Sequence, residues 1–548
     1  MKSIITFLSL FLFLSISHAQ LWLVDPLEAI YPDENKLAKF NKNWKADFPE
    51  GTVADVHILI QIPIGEDFTL DATLGGKSFG YEVWSQLLDV PVEQNTGLDS
   101  RTEQFINEKN PFVIRRAPFR IFEVIQPIHS DKFVSKAKYT AFRLSIPSSA
   151  FAQPGSYKVE VNAKSSNWEE RGIFTIRIYP ILLPPLSESQ FFYTNWFNLN
   201  QMEEWHKLEP WSESWFNMLN KYAEMMAYGR QNSITIPGEL FKLDDNKIML
   251  DDTLMLHYIN VFRKHGFKYF ESPHLMNRGD GDDWGDPELK VALTKRRYYT
   301  EDGKADIEEL MMLIKNFAYK NNLTSSWLQH IADEPTSVNA RCYRDVSSQV
   351  KGIFPDIKIM EATNDRDSIV GAIDVWCPLI NDFQENESFF RAREKQGEKV
   401  LVYTCLVPGG PWLNRTLDME KIRQVYFGWG AAFYNTGGYL HWGLNQYQAD
   451  PYEQSVVKHP SPVASSNNYL PAGDTHIIYP GEDGPLSSIR FEAHRMGCED
   501  YELLQKLKSE NPDLSKQLIN KLFRSYTDYD LNLKDYRKTK KKLLKALK

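Results

Sequence analysis

Trp327-Leu328-Gln329-His330-Ile331-Ala332-Asp333-Glu334-Pro335 is a short apolar run that ends abruptly in two adjacent carboxylates and a proline. In a strand, successive side chains point to opposite faces, so Asp333 and Glu334 share one site only if the strand stops there and the second acid turns into the following loop. Pro335 supplies the stop: it cannot donate to a sheet ladder and steers Glu334 toward an extended or turn conformation. An arbitrary Asp-Glu pair at a strand exit is ordinarily two solvated acids. This pair is set apart by its place among the neighbouring elements.

Outward from it, short apolar strands alternate with helix-length amphipathic segments. Eight strand candidates occupy 191–196, 233–237, 269–273, 327–332, 358–363, 374–378, 400–405 and 438–442, with helices between them such as 212–228, 253–265, 306–321 and 340–354. That alternation predicts an α/β fold, a (β/α)8 TIM barrel over 188–510, with Asp333 and Glu334 at the C-terminal end of its fourth strand, where such barrels keep their active sites. The loop 460–471, rich in Pro, Ser and Asn, would lie beside the mouth. A helix beginning near Ser488 carries Arg490, Glu492, Arg495, Glu499 and Asp500 at ion-pair spacing.

Ahead of this region the texture differs. Runs such as 54–62, 119–125, 157–161 and 172–178 alternate with period two and are separated by turn residues, which predicts an N-terminal antiparallel β-sandwich over 20–182, with a proline-rich linker at 180–185. Residues 511–548 form a lysine-rich helical tail whose simplest reading is a solvated face. Residues 1–19 have a basic start at Lys2, an apolar core and a small-residue site at Ser17-His18-Ala19, a secretory signal that implies a periplasmic or secreted protein.

With 548 residues and 42% hydrophobic content the chain can bury large cores. No stretch after the leader approaches the ~20 apolar residues of a membrane span. A net charge of −9 argues against a nucleic-acid partner. Cys342, Cys377, Cys405 and Cys498 are too sparse for a disulfide scaffold and lack metal-ligand spacing. His274, His330 and His441 show no His-Glu-x-x-His pattern, so no metal and no cofactor is expected.

The strand ends carry Tyr193, Asn195, Trp196, Glu271, His330, Trp376, Tyr403, Trp412, His441, Trp442, Asn445 and Tyr447. Aromatic faces for CH surfaces, together with amides and carboxylates for hydroxyls, are the equipment of a sugar pocket. Glycoside hydrolysis normally takes two carboxyl groups, yet the seventh strand, Tyr403-Thr404-Cys405-Leu406-Val407, offers none. Adjacent Asp333 and Glu334 fit substrate assistance instead, in which a 2-acetamido oxygen attacks the anomeric carbon. Asp333 would orient the acetamido N–H, and Glu334 would protonate the leaving oxygen and then activate water. Two alternatives stand beside this: Glu334 working with Glu271, Glu361 or Asp382 on a sugar without an acetamido group, or a non-catalytic carbohydrate-binding protein.

Three stretches, Ile331-Ala332-Asp333-Glu334-Pro335, Gly438-Tyr439-Leu440-His441-Trp442-Gly443 and Arg495-Met496-Gly497-Cys498-Glu499-Asp500-Tyr501, the last preceded by Tyr479-Pro480-Gly481 and Ser488-Ile489-Arg490-Phe491-Glu492, resemble the glycoside hydrolase family 123 catalytic domain, also catalogued as a domain of unknown function. The resemblance implies a barrel preceded by a β-sandwich. It also implies exo-acting β-N-acetylgalactosaminidase activity on a glycan with a terminal N-acetylhexosamine, with Asp333 and Glu334 as the catalytic pair.

Overall fold

The computed structural model describes residues 19–548 apart from 36, 100, 280–282 and 364. The expected leader, 1–18, lies outside the described residues. None of the described helices is long and apolar enough to cross a membrane.

The N-terminal region is two packed sheets. In the first, Gln20–Val24, Val53–Gln61, Tyr139–Pro147, Trp84–Val92 and Phe119–Pro127 pair antiparallel in that spatial order. The second runs Asn43–Glu50, Glu169–Leu182, Ser156–Lys164, Asp67–Leu74 and Lys77–Ser78. Period-two patterning accounts for the packing: along Ser156–Lys164, Val159, Val161 and Ala163 are buried while Lys158 and Glu160 face solvent. The inward residues share one core with Val56, Ile58, Phe142 and Leu144 of the facing sheet and with Phe174 and Ile176 of the adjacent strand.

Two details depart from the expected plain antiparallel sandwich. Asn43–Glu50 pairs parallel with Glu169–Leu182, and that last strand runs through Pro180, so the linker begins later than the prolines suggest. The first sheet is also extended from far along the chain, because Pro485–Ser488 pairs with Val124 and Ile125 and with Tyr479–Pro480.

The remainder contains the eight expected strands, parallel to their neighbours: Phe192–Asn195, Ser233–Thr235, Tyr269–Glu271, Trp327–Gln329, Lys358–Thr363, Val375–Pro378, a seventh split into Lys399–Val400 and Val402–Tyr403, and Gly438–His441. Their ladders form two sheets rather than one unbroken ring. Strands two to six and the first half of seven make a six-stranded sheet; the second half of seven, eight and one make a three-stranded sheet. The break in strand seven falls at Leu401, whose N–H donates to the Trp376 carbonyl at 2.8 Å, and at the other seam Asn232 N–H donates to the Tyr193 carbonyl at 3.1 Å. Side chains from both sheets pack in one interior cluster that includes Phe192, Leu328, Met360, Ala362, Cys377, Leu401, Tyr403 and Leu440.

After strand eight, the helix Ile489–Glu510 begins at Ser488, whose hydroxyl accepts from Phe491 N–H at 3.1 Å. It lies directly on the helix Ile422–Tyr434: a β-carbon on Gly428 would come within 1.9 Å of the Gly497 carbonyl. Its expected ion pairs exist and extend further. Arg495 joins Glu492 and Glu499 on its own helix and reaches Asp55 of the sandwich at 3.3 Å. The lysine-rich tail is not simply solvated. In its helix Leu533–Ala546, Tyr536, Leu543 and Leu544 are buried, Tyr536 and Lys540 bind Asp500, and Arg537 binds Asp25. The four cysteines are free thiols.

Candidate active site

Strand four ends at Gln329, and the turn that follows is held from below. One carboxylate oxygen of Glu361, on strand five, accepts the N–H groups of Ile331 and Ala332 at 2.9 and 3.1 Å, and the Tyr343 hydroxyl at 3.2 Å. From the loop after strand three, Arg278 donates to the Asp333 carbonyl at 2.7 Å. Glu334 then takes a left-handed conformation, φ +45°, within a bend rather than the extended geometry that a following proline also favours. Such a conformation costs on the order of 1 kcal/mol and persists where surrounding contacts impose it. Here it delivers the Glu334 carboxylate to the hydroxyl of Tyr403 on strand seven.

Asp333 and Glu334 open into a cavity of about 420 Å³. Trp196, Tyr403 and Trp442 line it with them, as do Arg278, Trp284, Leu406 and the loop residues His459, Val463, Asn468 and Leu470. The Arg278 guanidinium stacks 3.9 Å from the Trp284 ring centroid. Burial raises the affinity of Asp333 for its proton, opposed by the neighbouring His274 and Arg278. Burial, then the Glu334 charge, puts Tyr403 well above the usual phenol range.

Beneath the pair lies a charged cluster with no solvent contact at its centre. His330 sits between two carboxylates, Nδ1 at 3.1 Å from Glu361 and Nε2 at 3.2 Å from Glu271. Burial alone would lower its pKa, but the bonds to Glu271 and Glu361 prevail and push it up to about 10. Burial would likewise raise Glu361, which the His274 and His330 rings bring down to about 2. Glu271 is also held ionised against burial by His330 and Ser233, and it accepts from Trp196 Nε1 at 3.2 Å.

His330 is therefore an imidazolium clamped by two carboxylates. His274, His330 and Glu361 bring ligand atoms within 4.8 Å of one another, and both His330 nitrogens are already engaged by Glu361 and Glu271. Glu271 and Glu361 are equally committed and lie under the cavity floor. Asp382, on the helix Ile380–Glu385, pairs with Arg366 and does not line the cavity.

Several of the expected site residues face elsewhere; for Tyr193, Asn195, Trp376 and His441, which lie on strands, alternation is the reason, while Trp412, Asn445 and Tyr447 lie in the segments after strands seven and eight. Tyr193 and Trp376 point outward to the helices: Tyr193 stacks on His494 with ring centroids 4.3 Å apart, while Trp376 packs on Phe389 and Phe390 and donates to Glu398 at 2.5 Å. Asn195 is buried against Gln231 and Arg415. His441 is buried and, through burial and then Arg415, held well below its usual pKa. Asn445 exchanges hydrogen bonds with the Asn198 backbone, Tyr447 donates to the Ile478 carbonyl at 2.9 Å, and Trp412 packs on the main core.

Sequence reasoning missed Arg278, Trp284 and the loop residue His459. Arg278 stands 55 positions before Asp333 with no motif around it.

The family description matching residues 196–507 is "Glycoside hydrolase 123, catalytic domain". Among solved structures, a family 123 glycoside hydrolase from Clostridium perfringens, studied for glycolipid glycan hydrolysis, superposes with a TM-score of 0.71 over 97% of each chain at 15% identity. Bacteroides uniformis β-glucuronidase 3 follows with a TM-score of 0.32 at 8% identity, over 81% of this chain and 50% of that one. The Thermotoga petrophila endo-β-1,4-mannanase has a TM-score of 0.34 at 10% identity, over 58% and 78%. No curated protein sequence matched.

Proposed function

The chain belongs to glycoside hydrolase family 123, and from that premise we propose that it removes terminal β-linked N-acetylhexosamine, N-acetylgalactosamine foremost, by exo-acting, substrate-assisted, retaining hydrolysis. One observation carries the reading. Among the described residues, Asp333 and Glu334 are the carboxylates that line the cavity, while Glu271 and Glu361 are locked on His330 below it. No further carboxylate among the described residues stands ready as a nucleophile, and in this reading the sugar's acetamido oxygen takes that place.

In the first step Glu334 gives its proton to the glycosidic oxygen as the acetamido oxygen bonds to the anomeric carbon and the aglycone leaves. Asp333 accepts the acetamido N–H and offsets the positive charge of the oxazolinium ion. In the second step Glu334 removes a proton from water, which opens the ring at the same face and regenerates the β-anomer. Trp196 and Trp442 offer apolar walls for sugar CH faces. The two parallel sheets are taken as one (β/α)8 barrel, because their side chains share an interior cluster and Asp333 follows a strand's C-terminal end. The leader at 1–19 assigns the protein to the periplasm or the exterior. Glycolipid glycans, the substrate class of the Clostridium perfringens relative, belong in the test set.

The deciding experiment is a panel of nitrophenyl β-glycosides with and without a 2-acetamido group, run with and without a thiazoline mimic of the oxazoline. Selective cleavage of the acetamido sugars and inhibition by the thiazoline are expected. Equal cleavage of glucosides or galactosides with no thiazoline inhibition overturns the mechanism.

A further inference from the structure

Trp442 follows strand eight and stands half-buried in the cavity wall, and its indole N–H donates to Asp474 Oδ2 at 3.2 Å. Asp474 is wholly buried at the root of the loop that forms the opposite wall; its N–H donates to the Pro471 carbonyl at 3.1 Å. The segment is fixed on both sides. A β-carbon on Gly443 would lie 2.6 Å from the Asp474 carbonyl, and Arg490 Nη1 donates to the Gly473 carbonyl at 2.6 Å. The carboxylate cannot shift without moving this packed backbone.

The charged and titratable groups around Asp474 are Cys405 and Arg415 from the segment after strand seven, Tyr439 and His441 on strand eight, Arg490 on the long helix, and His476 two residues on. Among the described residues neither arginine makes an ion pair with it. Arg415 gives Nη1 to Asn195 at 2.7 Å and Nη2 to the Gly443 carbonyl, while Arg490 gives Nε to Glu123 at 2.6 Å. His441 accepts the Gly443 N–H on Nδ1, so its proton is on Nε2, 3.4 Å from Asp474 Oδ1. A buried carboxylate passed over by two nearby guanidiniums, whose hydrogen bond goes to a pocket-wall indole, is costly to keep for packing alone.

We propose that Asp474 is a positioning residue: its carboxylate sets the Trp442 indole as the surface on which the substrate sugar packs, and makes that surface respond to proton concentration. The proposal rests on reading the cavity as a sugar site. Burial, only partly offset by Arg415, Trp442 and Arg490, pushes Asp474 up to about 7. Above that pH the charged acceptor holds the indole strongly; below it the carboxyl takes up a proton, and the charge-assisted bond weakens to an ordinary one.

The test measures kcat and KM for a nitrophenyl β-N-acetylhexosaminide from about pH 5.5 to 8.5, with Asp474→Asn, Trp442→Phe and the double variant beside the wild type. In the wild type, KM should rise on the order of 3- to 10-fold as pH falls through about 7, with kcat not following that change. Asp474→Asn should show the raised KM at every pH, Trp442→Phe should lose the same pH response, and the double variant should bind no worse than Trp442→Phe alone. A wild-type KM flat across this range, or losses that simply add, overturns the proposal. Should Asp474→Asn fail to fold, the wild type against Trp442→Phe still decides. A wild type that turns over no glycoside refutes the sugar-site reading and this inference with it; an active enzyme with a flat KM refutes this inference alone.

Discussion

The hydroxyl of Tyr403, on the seventh parallel strand, donates to the carboxylate of Glu334, at the exit of the fourth, across the mouth of the cavity. This bond helps hold Glu334 in its left-handed conformation and fixes its carboxylate at the cavity; in the proposed mechanism that carboxyl group is the acid. Tyr403→Phe removes a donor to a charged group, worth about 1.5 to 3 kcal/mol, so kcat/KM should fall roughly 10- to 150-fold. Tyr447→Phe, whose hydroxyl faces the Ile478 carbonyl away from the cavity, should leave kcat/KM unchanged. Steady-state kinetics on both variants checks the pair; full activity in Tyr403→Phe would remove Tyr403 from the mechanism.

The two carboxylates should separate by leaving group. Glu334→Gln should nearly abolish cleavage of natural glycans yet spare much of the first step on an aryl glycoside whose leaving group needs no proton. Asp333→Asn acts on the acetamido group whatever leaves, so it should slow good and poor leaving groups alike, on the order of 10²-fold or more. Rates across a series of aryl glycosides give the comparison. Equal sensitivity to leaving group in both variants contradicts the assigned roles.

The cluster below the floor predicts stability limbs of opposite sign. His330, raised to about 10, contributes stability that is fully present below its unfolded value near 6.5 and lost as pH rises through 10. Glu361, lowered to about 2, contributes stability that is present above its unfolded value near 4.5 and lost as pH falls through 2. Both contributions are complete between about pH 4.5 and 6.5. Replacing His330 by Gln should cost on the order of 3 to 5 kcal/mol in that window, because two buried carboxylates lose their counter-charge, and should flatten the alkaline limb relative to the wild type. Denaturant titration at several pH values measures it.

Asp474 adds a limb of the same sign as that of His330, opposite to that of Glu361, in a lower pH window. Its pKa is raised, so between about pH 4 and 7 the folded chain holds a proton that the unfolded chain has released, and stability declines as pH rises through that interval. Asp474→Asn should therefore raise the melting temperature at pH 8 relative to the wild type and change it little at pH 4. A variant that is uniformly destabilised at both pH values would contradict the raised pKa.

Much of this was legible in the sequence because the signals were local. Period-two runs located four of the sandwich strands, Val53–Gln61, Phe119–Pro127, Ser156–Lys164 and Glu169–Leu182, and the alternation of apolar runs with amphipathic segments located all eight parallel strands. The strand-stopping Asp333-Glu334-Pro335 marked the cavity. Side-chain direction was harder to read, since a strand end announces its aromatics but not which face each takes. Tyr193 and Trp376 consequently point to helices, whereas Tyr403 points inward. Contacts between distant segments leave no periodic trace at all. The Glu361 bonds to Ile331 and Ala332, the Arg278 bond to Asp333 and the Asp474 bond to Trp442 each join residues at least 29 positions apart. The parallel pairing of Asn43–Glu50 was hidden for the same reason.

The C-terminal helix sets an order of events during synthesis. Asp25, among the earliest residues of the sandwich, is held by Arg537, and buried Asp500 is held by Tyr536 and Lys540. A sandwich that folds as it leaves the ribosome waits, with the long helix, for an arginine made 512 positions later. The junction therefore seals only once the helix Leu533–Ala546 has been made, and a chain cut short before residue 533 is left with a buried carboxylate at Asp500 that has lost its lysine. Truncation ahead of this helix is thereby registered as lost stability, so such products are the ones that proteases find open.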